Sequence, residues 1–276
     1  MPAARVEDVA ACCHELGSCG LQHRDQGPDA RLEAYFDAAV DLPVLLGGLQ
    51  EGLRCAGLGH LSVDVSQVVE EDWEAGWRRH FGPVQVTPRL WVRPPWAALD
   101  PAPGRIAVTI EPRMAFGTGG HESTQLCLQA LEKHLRPGAS CLDLGTGSGV
   151  LAIAAALLGA GRVLALDVDA VAVASARDSV RLNGLEGGVV TVREGSLAQA
   201  GAEHFDLVLA NIHSQVLRPL LGAIAARLRP AGVAVLSGLL AAEEAAFRGC
   251  MEAAALRPGE TLERGGWICL AGTRGA

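Results

Sequence analysis

Nowhere in the 276 residues does an uninterrupted apolar run approach the length of about 18 that a membrane-crossing helix requires. Hydrophobic residues nevertheless make up 49% of the chain and charged ones 20%, so the apolar content belongs to a core and no membrane partner is expected. Residues 1–8 hold one Arg with no apolar stretch behind it. A secretory leader needs such a stretch, so the cytoplasm is the expected compartment. Positive charge is also short: 23 Lys and Arg stand against 31 Asp and Glu, a formal net charge of −8. Phosphate binding needs a basic face, which disfavours free nucleic acid as the main partner and suits a basic protein better. The cluster Cys12, Cys13, His14, Cys19 and His23 lacks the C-x-x-C spacing of a zinc site, and no metal is expected. The eight cysteines are scattered, and Cys127, Cys141, Cys250 and Cys269 sit in apolar segments, as reduced thiols packing like small hydrophobes do. Internal repeats and low-complexity tracts are missing too.

What the chain does have, from residue 140 onward, is an alternation of short apolar strands with helical segments. Strands are predicted at 140–144, 162–166, 189–193, 205–210 and 233–237. Helices are predicted at 150–158, 170–182 and 216–228, with Asn183-Gly184 closing the second and Arg229 to Gly232 breaking the third. A hairpin around Gly265-Gly266 is expected to end the sheet antiparallel. This is the pattern of an α/β, doubly wound sheet covered on both faces. Upstream, 123–135 has apolar residues at helical spacing and stops at Pro137-Gly138. The first hundred residues read as a helix over 31–54 interrupted at Pro43, a strand over 60–65 and an acidic, aromatic stretch over 70–81. Prolines 83, 88, 94, 95, 101 and 103 then mark 82–104 as connecting or edge structure rather than core. The expected division is a small amino-terminal domain over 1–65, a linker over 66–104 and a catalytic domain over 105–276.

Chemistry concentrates at the ends of the predicted strands. Asp143-Leu144-Gly145-Thr146-Gly147-Ser148-Gly149 closes the first strand and opens an aliphatic helix, where glycines let backbone approach a ligand. Alone, this is equally a tight turn, and Gly147, Gly149 and Ala152 also fit a degenerate nicotinamide-cofactor fingerprint. Asp143 favours a different ligand. A carboxylate two positions before the first glycine would repel a pyrophosphate but face the cationic methionine end of S-adenosylmethionine. Asp167, ending the next strand, can accept both ribose hydroxyls or cap a helix, a job open to Asp169 as well. Asn211 ends the fourth strand, at the carboxyl edge where doubly wound folds bind ligands. His213 beside it is a candidate base, more often incidental in such a loop. The run 115–124, containing Phe116, Gly117 and Thr124, is either a lid over the cofactor or a flexible loop capped into its helix by Ser123 or Thr124.

These stations resemble a known family. The runs 116–124, 142–154, 167–169 and 210–212, with Glu71-Asp72-Trp73, Arg93-Pro94-Pro95-Trp96, Leu236-Ser237-Gly238 and Gly266-Trp267, are similar to the PrmA-type methyltransferases, which modify ribosomal protein L11. The resemblance implies a seven-stranded Rossmann-like methyltransferase sheet behind a small substrate-recognition α+β domain. It implies S-adenosylmethionine as cofactor, with Thr124, Gly145, Asp167 and Asn211 at the family's cofactor-binding positions and lysine or N-terminal amines as methyl acceptors. Phe116, Gly117, Asp143 and Gly147 complete the expected site, with Asn211 as its orienting catalytic residue. The sequence departs from the family's usual loop at Gly120, Glu122 and Ser123, and from its usual Asn-Ile-Leu-Ala at His213 and Ser214, changes that touch the loop and the acceptor side. A monomer acting on a ribosomal protein is expected. Another protein lysine, a small-molecule amine, a non-catalytic cofactor binder and, further behind, a nicotinamide-dependent oxidoreductase are the rivals.

Overall fold

Two compact units, residues 1–70 and 71–276, divide the chain. The computed structural model describes residues 5–26, 29–37, 39–66, 81–98, 103–112, 117 and 119–275.

In the first unit, α1 (Val6–Glu15), the hairpin β1 (Gly20–Gln26) and β2 (Asp29–Tyr35), and α2 (Leu42–Cys55) surround a small core of Val9, Cys13, Leu53 and Leu58. This corrects two expectations. The helix read over 31–54 is a strand followed by a shorter helix, because Ala30, Leu32 and Ala34 alternate toward the core at the period of a strand. Pro43 does not interrupt α2. It sits in its first turn, where a missing N–H costs nothing, and Asp41 caps the helix by accepting from Val44 N at 3.2 Å. Residues 60–65 form no strand. The acidic stretch over 70–81 lies outside the described residues except Phe81.

The second unit is built on seven strands: β6 (Ser140–Leu144), β7 (Arg162–Asp167), β8 (Val190–Glu194), β9 (Phe205–Asn211), β10 (Leu228–Leu240), β11 (Leu256–Arg264) and β12 (Trp267–Arg274), in the order β11-β12-β10-β9-β6-β7-β8. The pairs from β10 through β9, β6 and β7 to β8 are parallel. β12 pairs antiparallel with both β10 and β11. The central strands β6, β7, β9 and β10 are buried on both faces, so they are largely apolar and their period of two shows only in which core a residue enters, whereas the edge strands β8 and β11 carry exposed polar residues. Cys141, Val163, Ala165, Leu207 and Leu209 face one side with α3 (Glu122–His134) and α4 (Val150–Leu157). Leu142, Leu164, Leu166, Val208 and Ala210 face the other with α6 (Ser214–Arg227) and α7 (Glu244–Ala253). The helix α5 (Ala170–Leu182) follows β7. The helix α6 stops at Arg227, as the break expected at Arg229 to Gly232 requires, and those residues form a bulge within β10, with Ala231 at φ 60° and the register against β9 shifted between Leu228 and Val233.

The proline-rich stretch is not merely connecting. β3 (Val84–Gln85), β4 (Leu90–Arg93) and β5 (Ile106–Thr109) make a three-stranded sheet, and Leu90, Val92, Val108 and Ile110 are buried in the core shared with α3 and α4. The prolines flank these strands and so do not break them. One side chain ties this small sheet to α5. Asn183 Oδ1 accepts from Thr109 N at 2.9 Å, and its Nδ2 donates at 2.7 Å to both Thr109 O and Ser179 O. The amide thus pairs with β5 as another strand would. Asn183→Ala leaves two partly buried backbone groups unpaired and should lower stability by about 2 kcal/mol. Urea unfolding checks this, and an unchanged midpoint would show that water replaces the amide.

Candidate functional site

The carboxyl ends of the parallel strands β6, β7, β9 and β10 meet along one edge, and the residues singled out from the sequence meet there with them. Asp143 is fully buried on the side of α4. Its Oδ2 accepts from Thr146 Oγ1 at 2.6 Å and from the backbone N–H of Ala152, the third residue of α4, at 3.1 Å. Gly149 occupies the N-cap of α4 and has no side chain to cap with, so Asp143 supplies the missing acceptor from the neighbouring strand. Its other oxygen, Oδ1, is buried without a partner. Burial pushes the carboxyl up to about 7, a rise the two hydrogen bonds oppose and the charge of Asp167 reinforces.

The glycine-rich turn spends its donors inside the fold. Gly145 N and Thr146 N both donate to Leu166 O at 2.9 Å, Gly149 N to Thr146 O at 2.9 Å, and Gly147 N to Asp167 Oδ2 at 2.8 Å. These four N–H groups are not free to cradle an anion, which counts against the nicotinamide-cofactor alternative. Gly145 has φ +73°, and a Cβ on it would stand 2.6 Å from Ile212 Cγ2, so a side chain there is excluded twice over. Asp169 caps α5 by accepting from Val171 N at 2.8 Å. Asp167 therefore ends β7 free of that duty, its Oδ1 accepting only from Asp169 N at 3.1 Å, with acceptor capacity to spare.

Asn211 and Thr124, 87 residues apart, are brought together: Asn211 Nδ2 donates to Thr124 Oγ1 at 3.1 Å. Thr124 is fully buried, and Asn211 Oδ1 is buried without a partner. Neither Ser123 nor Thr124 caps α3. His121 does, its Nδ1 accepting from Ser123 N at 3.2 Å while its ring stands edge-on to Trp267 with centroids 4.8 Å apart. Gly117 is buried, and its carbonyl accepts from Ser148 Oγ at 2.7 Å, tying the upstream loop to the turn. Phe116 lies outside the described residues. His213 occupies the N-cap position of α6 with its side chain exposed and capping nothing. Sequence reading gave no role to Ser148 or Ser237, buried hydroxyls that pin Gly117 and Ser123. Both stand in runs that carry the family resemblance, 142–154 and Leu236-Ser237-Gly238, which was the available signal.

A cavity of about 180 Å³ lies against the small sheet, lined by Phe81, Val92, Arg93, Ile110 and Gly120 among others. It includes none of the carboxyl-edge residues, and the unpaired oxygens, rather than that cavity, define the site. The buried, unpartnered oxygens of Asp143 and Asn211 fit a ligand carrying positive charge and N–H groups, as S-adenosylmethionine does.

The seven-stranded order with its antiparallel β12 and this site define an S-adenosylmethionine-dependent methyltransferase. Residues 6–275 match the family described as ribosomal protein L11 methyltransferase (PrmA), and the chain belongs to that family. A ribosomal protein L11 methyltransferase of Symbiobacterium thermophilum is 42% identical over 226 residues, 81% of this chain and 72% of the relative. One from Geobacter metallireducens is 38% identical over 261 residues, 93% and 86% of the two chains. The crystal structure of the ribosomal protein L11 methylase of Lactobacillus delbrueckii subsp. bulgaricus superposes with a TM-score of 0.66 at 28% identity, covering 71% of this chain and 100% of that one.

The Asp143 carboxyl sets a test without ligand. Because the folded chain holds this proton to about pH 7 while an unfolded Asp loses it near pH 4, the stability linked to it is fully present below about pH 4. That stability is lost as pH rises toward 7. Asp143→Asn should remove a decline approaching 1.4 kcal/mol per pH unit across that window. Thermal unfolding of both proteins from pH 4 to 8 measures the difference, and parallel curves would refute the assignment.

Proposed function

We propose that this chain transfers methyl groups from S-adenosylmethionine to amines of ribosomal protein L11, at lysine ε-amines, the N-terminal α-amine or both. The observation that carries this reading is the pair of buried oxygens without partners, Asp143 Oδ1 and Asn211 Oδ1, at the carboxyl edge of the sheet. Relatives named for this activity, 38% to 42% identical, support the substrate.

When bound, S-adenosylmethionine supplies a methyl carbon already activated by its sulfonium, so the protein's work is alignment and exclusion of water. In our assignment Asp143 Oδ1 receives the methionyl ammonium, Asp167 the ribose hydroxyls, and Gly145 and Gly147 leave room for the nucleoside. Gly117 from the upstream loop and Thr124 from the first turn of α3 border the site, and Phe116 keeps the cofactor-binding role read from the sequence. Asn211 Oδ1 accepts an N–H of the incoming amine and so aims its lone pair. The amine must be neutral, and lysine's ordinary pKa of about 10.4 has to fall. Burial beside positive charge lowers it. Residues 1–65 are assigned to substrate recognition, and the enzyme to the cytoplasm as a monomer that does not read nucleic acid.

Incubating the protein with methyl-labelled S-adenosylmethionine and unmethylated L11 should add methyl masses to lysine or N-terminal peptides. Asn211→Ala should lower kcat roughly 100-fold, with cofactor affinity changed much less. Label on another protein would keep the chemistry and overturn the substrate. Cofactor binding with no transfer to any ribosomal protein would overturn the enzyme reading.

A further inference from the structure

Arg93, at the head of the run Arg93-Pro94-Pro95-Trp96, takes no part in the site at the carboxyl edge. Among the described residues it is the one charged side chain lining the cavity of about 180 Å³ beside the small sheet, whose other walls are apolar side chains such as Phe81, Val84, Val92 and Ile110, with glycine and proline. Arg93 Nη1 donates to Ala97 O at 2.7 Å, which holds the guanidinium in place. Nε is buried without a partner, and among the described residues no carboxylate pairs with Arg93. A cation drawn partly out of water with no counter-charge is held at a cost that an anion entering the cavity would offset. We infer that the cavity is a subsite for a carboxylate carried on a short apolar stem.

The walls set the class of ligand. A phosphate brings more negative charge than one guanidinium balances, and its remaining oxygens would face Val92 and Ile110 without donors. A carboxylate matches one guanidinium in charge and accepts its N–H bonds in a planar fork, while an apolar stem lies against Phe81 and Val84. The volume has room for about six waters at roughly 30 Å³ each, so it takes a stem of a few carbons and not a nucleoside. Two sources can offer this chemistry. Gly120 on the cavity wall is followed by His121, which caps α3, and four residues on by Thr124, the partner of Asn211. Four residues of chain span at most about 14 Å, so a protein whose amine lies at Asn211 has neighbouring residues within reach of the cavity, and an aspartate or glutamate among them supplies the carboxylate. A free small carboxylic acid is the other source. The subsite itself does not depend on the proposed methyl transfer; only the choice between sources does.

The probes are 3-methylbutanoate and its amide, alike in shape and different in charge, with inorganic phosphate as a second anion. Each is titrated into the full-length chain at constant ionic strength and followed by protein NMR. The carboxylate should bind saturably with a Kd on the order of a millimolar, the amide at least about tenfold more weakly, and phosphate more weakly than the carboxylate. Arg93→Met keeps the apolar stem and removes the charge, and should bring carboxylate binding down to the level of the amide. On the unaltered protein, no saturable carboxylate binding, equal binding of carboxylate and amide, or tighter binding of phosphate overturns the inference, whether or not the variant folds. Undiminished carboxylate binding by a folded Arg93→Met overturns it as well. Methylation kinetics with L11 then separate the sources. A KM for L11 raised by 3-methylbutanoate at unchanged kcat, and raised about fivefold in Arg93→Met, assigns the carboxylate to the protein substrate. A KM unmoved by either assigns it to a free acid. Absence of methyl transfer by the unaltered enzyme would defeat the proposed function and leave the binding result standing.

Discussion

The arrangement of the site depends on one buried carboxylate shared between a strand and a helix. Asp143 Oδ2 binds the hydroxyl of Thr146 and the N–H of Ala152, holding the end of β6, the glycine-rich turn and the start of α4 in one geometry. α4 is aliphatic and is buried from Val150 to Ala155. Its N-cap glycine brings no acceptor, so its first turn would enter the core with unsatisfied donors unless the sheet provided one. From that anchor the connections run outward. Gly147 reaches Asp167 at the end of β7, and Ser148 reaches Gly117 in the upstream loop. Charging this carboxyl in a dry setting is costly, which is why its pKa is raised, and an unpaired second oxygen keeps that cost in place until a cation meets it.

How much of this was legible in the sequence follows from where periodicity and local chemistry agree. The strand over 140–144 and the helix over 170–182 coincide with β6 and α5, because apolar strands and turn residues there carry the same message as the tertiary fold. The closing antiparallel hairpin was legible from Gly265-Gly266. The amino-terminal unit was not. A strand of seven residues with Ala30, Leu32 and Ala34 inward resembles a helix start when Pro43 is taken as an interruption instead of a first turn. The small sheet was hidden for a similar reason: its strands run two to four residues between prolines, too short for a period to appear.

At the site, strand-end positions were legible and partners were not. Asp143, Asp167 and Asn211 could be placed at the carboxyl edge by counting strands, but nothing local pairs Asn211 with Thr124, 87 residues earlier. Nor could the sequence say that the glycine-rich turn would turn its amides inward. That outcome needs Leu166 O and the Asp167 carboxylate at hand, contacts set by the sheet register between β6 and β7.

That inward turning decides the electrostatic character of the edge. A phosphate-binding turn directs backbone donors outward and keeps carboxylates away. Here the N–H groups of Gly145, Thr146, Gly147 and Gly149 are consumed, and one side-chain oxygen each of Asp143 and Asn211 is buried without a partner. An edge of acceptors is complementary to a methyl donor that carries positive charge and to an amine that arrives with N–H bonds. It is a poor host for a pyrophosphate. The glycine spacing alone is compatible with either ligand, so the discriminating information lies in the direction of hydrogen bonds, and Asp143 at the head of the turn sets the sign.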